Sequence, residues 1–190
     1  QRVRTLALDA VFSPEYVLFQ NTAADGEKAL EIVLHRCEND PACRAAFPDL
    51  RGEFAALLEQ LDAAPAQVTL AHPSTGQPLA FPLTREVFAG LIFNLLTSPE
   101  LLALLPRALH SAAGGDFAPL ITQSLSVSSQ PNDGLFYAIA CAEDAPLLRL
   151  AETPAQSVFP DRAGRLAQIC PAWPRGSTSA EFRQPLRSDV

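Results

Sequence analysis

Gly134-Leu-Phe-Tyr-Ala-Ile-Ala-Cys-Ala-Glu-Asp144 is the stretch on which the reading of this chain turns: an apolar run that delivers a cysteine and then two adjacent carboxylates before Pro146 stops it. Two like charges at the edge of a core cost free energy unless a cation, N–H donors or water compensate them. A ligand amine is one such cation. A second reading sets Glu143 and Asp144 at the start of a following helix, where acids favourably oppose the helix dipole. Cys141 reads as a small buried hydrophobe or as half of a disulfide, and the even count of 4 cysteines favours the second.

Around this stretch the sequence predicts a mainly α fold of about five to seven helices with one small β-hairpin. Within Asp25–Cys37, Leu30, Val33, Leu34 and Cys37 fall at i, i+3, i+4 and i+7. Asn39-Asp40-Pro41 ends that helix, and Cys37 to Cys43 brackets a tight turn. Asp49 caps a helix to Ala64 carrying Leu50, Phe54, Leu57, Leu58 and Leu61. Gln67–His72 and Leu79–Leu83 flank a Pro/Gly-rich turn and read as a surface hairpin, with Pro82 confining its second strand to an edge. Thr84 caps a helix over Arg85–Leu96 with almost no polar face, which must be covered on several sides. Ser98-Pro99-Glu100 opens another helix, carrying Leu101, Leu102, Leu104, Leu105 and Leu109 until Gly114-Gly115 stops it, and further helices follow over Phe117–Leu125 and from Asp161 to Ile169. Ser126–Gly134 is polar and turn-rich, and from Arg175 to Val190 the chain reads as a connector. Arg4–Phe12, apolar at nearly every position from Leu6, reads as a strand buried on both faces, and so as a stub of a larger sheet.

At 190 residues and 48% hydrophobic content the chain is long and apolar enough for one sizeable core. A net charge of −7 with 14 scattered Lys and Arg gives no basic stripe, which argues against nucleic acid and anionic membrane surfaces as partners. The longest apolar run, Val87–Phe93, is far short of a membrane span. The 17 prolines punctuate many short elements. Absence of methionine and the opening Gln1-Arg-Val-Arg are read as signs of an excised piece. Four cysteines suggest an oxidising compartment: Cys37 and Cys43 are close enough to close a small loop, leaving Cys141 and Cys170 for a larger one, with two other pairings formally open.

No G-x-S-x-G turn, H-E-x-x-H, G-x-G-x-x-G or P-loop is present. The histidines at 35, 72 and 110 have no Ser or Cys placed by sequence as a catalytic partner. His35-x-Cys37 with one further cysteine supplies only three ligands at unusual spacing, so no metal site and no cofactor are expected.

Four segments occur in an order that resembles a known family: Arg2-Val-Arg-Thr-Leu-Ala-Leu-Asp-Ala-Val-Phe-Ser-Pro14, Cys37-Glu-Asn-Asp-Pro-Ala-Cys-Arg-Ala-Ala-Phe-Pro-Asp-Leu50, Gly134 to Asp144, and Cys170-Pro-Ala-Trp173. They resemble the α/β-hydrolases of the tripeptidyl and prolyl aminopeptidase type, with Ala10 standing where that family's Leu-Asp-Gly-Val pattern has Gly. The resemblance implies a helical lid over residues 14–175, a stub of hydrolase core over 1–13, and a connector returning to the core over 176–190. It places the nucleophilic Ser before Gln1 and the acid and His after Val190, so this chain alone would be non-catalytic. It also implies that the acidic pair binds the free amino terminus of a short peptide, with Glu143 the first candidate and Asp144 the second, and Phe136 and Tyr137 as wall residues.

The expected partners are therefore the hydrolase core of the parent chain and a short peptide with a free amino terminus, in a secreted or periplasmic bacterial setting. The isolated piece is expected to self-associate through the apolar face that meets the core. Two other readings stand beside this one: a free-standing, disulfide-stabilised helical module that binds peptides or amines, and the lid of a related esterase or other α/β-hydrolase.

Overall fold

In a computed structural model of the protein, residues 15–127, 132–150 and 157–179 are described, together with positions 5, 7, 9, 11, 13, 181, 182 and 184. The described residues form nine α-helices and one hairpin, in the order α1 (Thr22–Asn39), α2 (Pro41–Ala46), α3 (Leu50–Ala63), β1 (Ala66–Ala71), β2 (Pro78–Leu83), α4 (Arg85–Leu96), α5 (Pro99–Leu102), α6 (Leu105–Ala113), α7 (Ala118–Val127), α8 (Asp133–Glu143) and α9 (Arg162–Ile169). A single 3₁₀ turn, Ala145–Leu147, follows α8. The mainly α fold with one small hairpin is thus as the sequence pattern predicts.

The chain divides into two compact units. The larger comprises Asn21–Gln130 and Glu152–Asp161. Its core is built from the stripes legible in sequence: Leu30, Val33, Leu34 and Cys37 of α1, and Leu50, Phe54, Leu57, Leu58 and Leu61 of α3, are all buried. α4 contributes Phe88, Ala89, Ile92 and Leu95, each fully enclosed, which is what a helix without a polar face requires. Leu105, Ala108 and Leu109 of α6 and Leu120 and Ile121 of α7 complete the interior. Asp49 and Thr84 cap α3 and α4 by accepting from the N–H groups of Gly52 and Val87. β1 and β2 pair antiparallel from Ala66 opposite Leu83 to Ala71 opposite Pro78. Their turn passes through Gly76 at φ 69°, a conformation open to glycine.

Two elements differ from the sequence expectation. The single helix expected from Ser98 to the Gly114-Gly115 stop ends where expected, with Gly114 as its C-cap, but is split into α5 and α6, because Pro106 has no N–H to give and its ring would clash with the carbonyl of Leu102, four residues back. The tight turn expected between Cys37 and Cys43 contains a helix, α2: Pro41 begins it and the Asp40 side chain caps it, accepting from the Cys43 N–H at 2.7 Å.

The smaller unit comprises Gln1–Gln20, Pro131–Ala151 and Arg162–Val190. Its core is Ala140 and Cys141 of α8 with Leu166 of α9 and Cys170, flanked by Phe19, Phe136, Tyr137, Leu148 and Trp173. The strand expected over residues 4–12 falls largely outside the described residues, and its described positions Thr5, Ala7, Asp9 and Val11 are exposed and in no strand. Within the loop expected over Ser126–Gly134, residues 128–131 lie outside the described residues, and Asp133 already begins α8. No helix among the described residues is long and apolar enough to cross a membrane.

Both small-loop and large-loop disulfides are formed: Cys37–Cys43 joins α1 to α2 in the larger unit, and Cys141–Cys170 joins α8 to the end of α9 in the smaller.

Candidate functional site

The organising stretch is itself the helix α8, and this changes what its acids do. Asn132 caps it by accepting from the Leu135 N–H at 3.0 Å, and the apolar residues that follow supply the helix face. Glu143 is the last helical residue and Asp144 its C-cap. Asp144 is also the N-cap residue of the 3₁₀ turn Ala145–Leu147, so the reading that sets the pair at the start of a following helix holds for Asp144 and that one short turn, while Glu143 closes α8. Both acids sit at the negative end of the α8 dipole, where a carboxylate is disfavoured, and the turn that follows is only three residues long.

Compensation comes from elsewhere in the smaller unit. Asp144 is buried, and its Oδ1 accepts the Leu18 N–H at 2.9 Å. Arg175 brings a guanidinium to the same helix end, where its Nη1 donates to the Cys141 carbonyl at 3.5 Å. Glu143, one residue before Asp144, is half-buried. Cys141 lies one helical turn before this end, and its bond to Cys170 fixes the helix to the α9 terminus.

On the helix, Tyr137, Cys141 and Asp144 follow at i, i+4 and i+7, and Phe136, Ala140 and Glu143 repeat the spacing one position earlier. Aromatic residues and acids therefore share neighbouring stripes. Phe136 and Tyr137 are both half-buried and belong to a row of rings. Phe19 and Phe136 are 5.7 Å apart between centroids, Phe136 meets Tyr137 edge-on at 5.2 Å, and Tyr137 lies 5.1 Å from Trp173. At one end of the row the Arg162 guanidinium lies 5.4 Å from the centroid of Phe19. Burial holds Arg162 below the ordinary arginine value, and repulsion from Arg165 adds to the effect.

Of the four residues expected to bind substrate, Phe136, Tyr137, Glu143 and Asp144 thus all lie on α8 or its cap, within one unit. Sequence reading missed Leu18, Phe19, Arg162 and Arg175. Trp173, quoted there only as part of a motif, closes the aromatic row. Arg175 falls in the stretch that reads as a connector, and its contact with the end of α8 has no local signature in the sequence.

Elsewhere, His110 on α6 has its Nδ1 at 2.9 Å from Glu53 Oε1 on α3, and its ring is 5.3 Å from that of Phe47. No Ser or Cys completes a triad around it in the sequence pattern. No group of three or more His, Cys, Asp or Glu among the described residues could hold a metal ion. No protein-family model matches the chain, and neither a curated protein nor a solved structure matches it.

Proposed function

We propose that this chain is the substrate-selecting helical lid of a serine α/β-hydrolase, and that the parent enzyme is an aminopeptidase acting on short peptides. The observation that carries the reading is the acidic pair at the C-terminal end of α8. Glu143 and Asp144 close α8, the helix that also carries Phe136 and Tyr137 of the aromatic row, so two carboxylates and an apolar wall share one element. In this reading Asp144, holding the Leu18 amide, positions the helix end, and the Glu143 carboxylate takes the peptide ammonium by charge-assisted hydrogen bonds. Phe136 and Tyr137 form the wall beside it. The lid selects the substrate, while a Ser–His–acid triad on the parent core breaks the bond by acyl transfer. The two disulfides support a secreted or periplasmic setting. Leu135 and Ile139, one turn apart on α8 and exposed, belong to the face that would meet the core.

Glu143→Gln in the intact enzyme tests the reading. Loss of about 1.5–3 kcal/mol of transition-state binding, roughly 10- to 150-fold in kcat/KM, is expected on peptides with a free amino terminus. N-blocked peptides and simple esters are expected to be turned over unchanged. Equal losses on free and blocked substrates would end the proposal.

A further inference from the structure

The larger unit carries a second candidate site, remote in sequence from the acidic pair. A groove of about 300 Å³ lies where α1, α2, α5 and α6 meet. Its floor is apolar: Val33, Pro99, Leu102 and Pro106, with the Cys37–Cys43 disulfide as one wall. Two charged side chains of opposite sign also line it, Arg36 and Asp40, one helical turn apart.

Neither charge is consumed by the other. Among the described residues the Arg36 guanidinium has no carboxylate within ion-pair distance and makes no side-chain hydrogen bond. Asp40 uses Oδ1 to cap α2, which orients its carboxylate and leaves Oδ2 for a donor. A guanidinium prefers a carboxylate partner that it can grip with two parallel N–H groups. A carboxylate such as Asp40 prefers an ammonium or N–H.

The groove volume is at the lower end of small-molecule sites and suits a ligand of one residue rather than a chain. Its walls are also stiff, since a disulfide and two prolines have little conformational entropy to lose on binding.

We infer that this groove binds a free apolar α-amino acid as its zwitterion. The carboxylate lies on Arg36, the ammonium on the outer oxygen of Asp40, and the aliphatic side chain lies on the floor formed by Val33, Leu102 and the prolines. This ligand presents both charges on one carbon and an apolar body of the right size. A fatty acid lacks the donor for Asp40, and a simple amine lacks the acceptor for Arg36. The inference stands on the larger unit alone and does not depend on the hydrolase reading.

The experiment is a titration of the ¹⁵N-labelled chain with leucine, followed by amide chemical shifts and calorimetry, with leucinamide and N-acetylleucine as parallel arms. Saturable shifts at Val33, Cys37 and Leu102 are expected with leucine. Leucinamide and N-acetylleucine are each expected to bind at least about tenfold more weakly, because each leaves one charged wall group unmatched. Arg36→Gln keeps a good helix former and is expected to give the same tenfold loss. Ala103→Trp, at an exposed lining position, fills the groove without touching the core and is expected to abolish the shifts. No saturable shifts, shifts centred on other residues, N-acetylleucine binding as tightly as leucine, or full binding by either folded variant would overturn the inference.

Discussion

Arg51 on α3 takes two glutamates of α1 at once: its Nη1 and Nη2 donate to Glu31 at 2.8 and 2.9 Å, and its Nε donates to Glu38 at 2.7 Å. The hydrogen bonds from Arg51 hold both carboxyls below the ordinary glutamate range, and the guanidinium charge adds to this. Their folded values are depressed relative to the unfolded chain. The stability they contribute is therefore present above the unfolded glutamate value and lost as pH falls through the folded one. Arg51→Met should lower Tm at neutral pH by an amount on the order of 1–3 °C, since all three side chains are well exposed. That difference should close as the pH is taken below the ordinary glutamate range, and a gap that stays constant across the titration would show packing rather than charge. None of this was legible in sequence, because Glu31 and Glu38 meet Arg51 only when α1 and α3 pack together. Caps, by contrast, were legible one residue at a time: Asp49 and Thr84 lie next to the helices they cap, so local spacing was enough.

At the scale of elements, α1 crosses the segment Ser157–Phe159 at Gly26. A methyl at that position would come within 2.7 Å of Phe159 Cδ2. The ring cannot easily retreat: Phe159 is buried and lies 5.7 Å from Phe93 in an edge-on contact. Its segment is also tied to α1, where Glu27 Oε1 accepts from the Val158 N–H at 2.6 Å and from the Ser157 hydroxyl at 2.9 Å. Helix propensity alone favours alanine over glycine inside α1 by about 1 kcal/mol. Overpacking of this kind works against that gain and costs about 1–3 kcal/mol. Gly26→Ala should therefore be destabilising on balance in urea denaturation, and a more stable variant would mean that the segment moves aside. Strong periodicity made most elements readable, since α3 and α4 bury the stripes their sequences present. Where it failed, a proline held the answer: Pro106 marks the break between α5 and α6, and Pro41 after Asp40 marks the start of α2.

Across the whole molecule, the candidate site was legible only in its α8 half. The partners of that half come from 126 residues upstream, Leu18, and 34 residues downstream, Arg175, and no local pattern announces them. Cysteine spacing reached further: the short separation of Cys37 and Cys43 favoured the small loop and left Cys141 and Cys170 for the larger one, with two other pairings open until the fold brought both pairs together. These two bridges staple different units and close loops of different length, with sequence separations of 6 and 29. If a bridge acts mainly by removing loop entropy from the unfolded chain, the short one contributes about 2 kcal/mol and the long one about 3.6 kcal/mol. The core each bridge supports sharpens the contrast. The larger unit buries whole stripes of five helices around its bridge, whereas the smaller has four buried core residues, two of them the bridge cysteines themselves. Small cores depend most on covalent ties. Replacing Cys141 and Cys170 together by serine should therefore unfold α8 and α9, and with them the candidate site around Glu143, read as loss of hydrogen-exchange protection in those helices. The Cys37→Ser, Cys43→Ser double variant should keep its α3 and α4 protection and lose stability mainly at α2. Equal protection of α8 in both double variants would mean that the aromatic row from Phe19 to Trp173, rather than the disulfide, holds the smaller unit together.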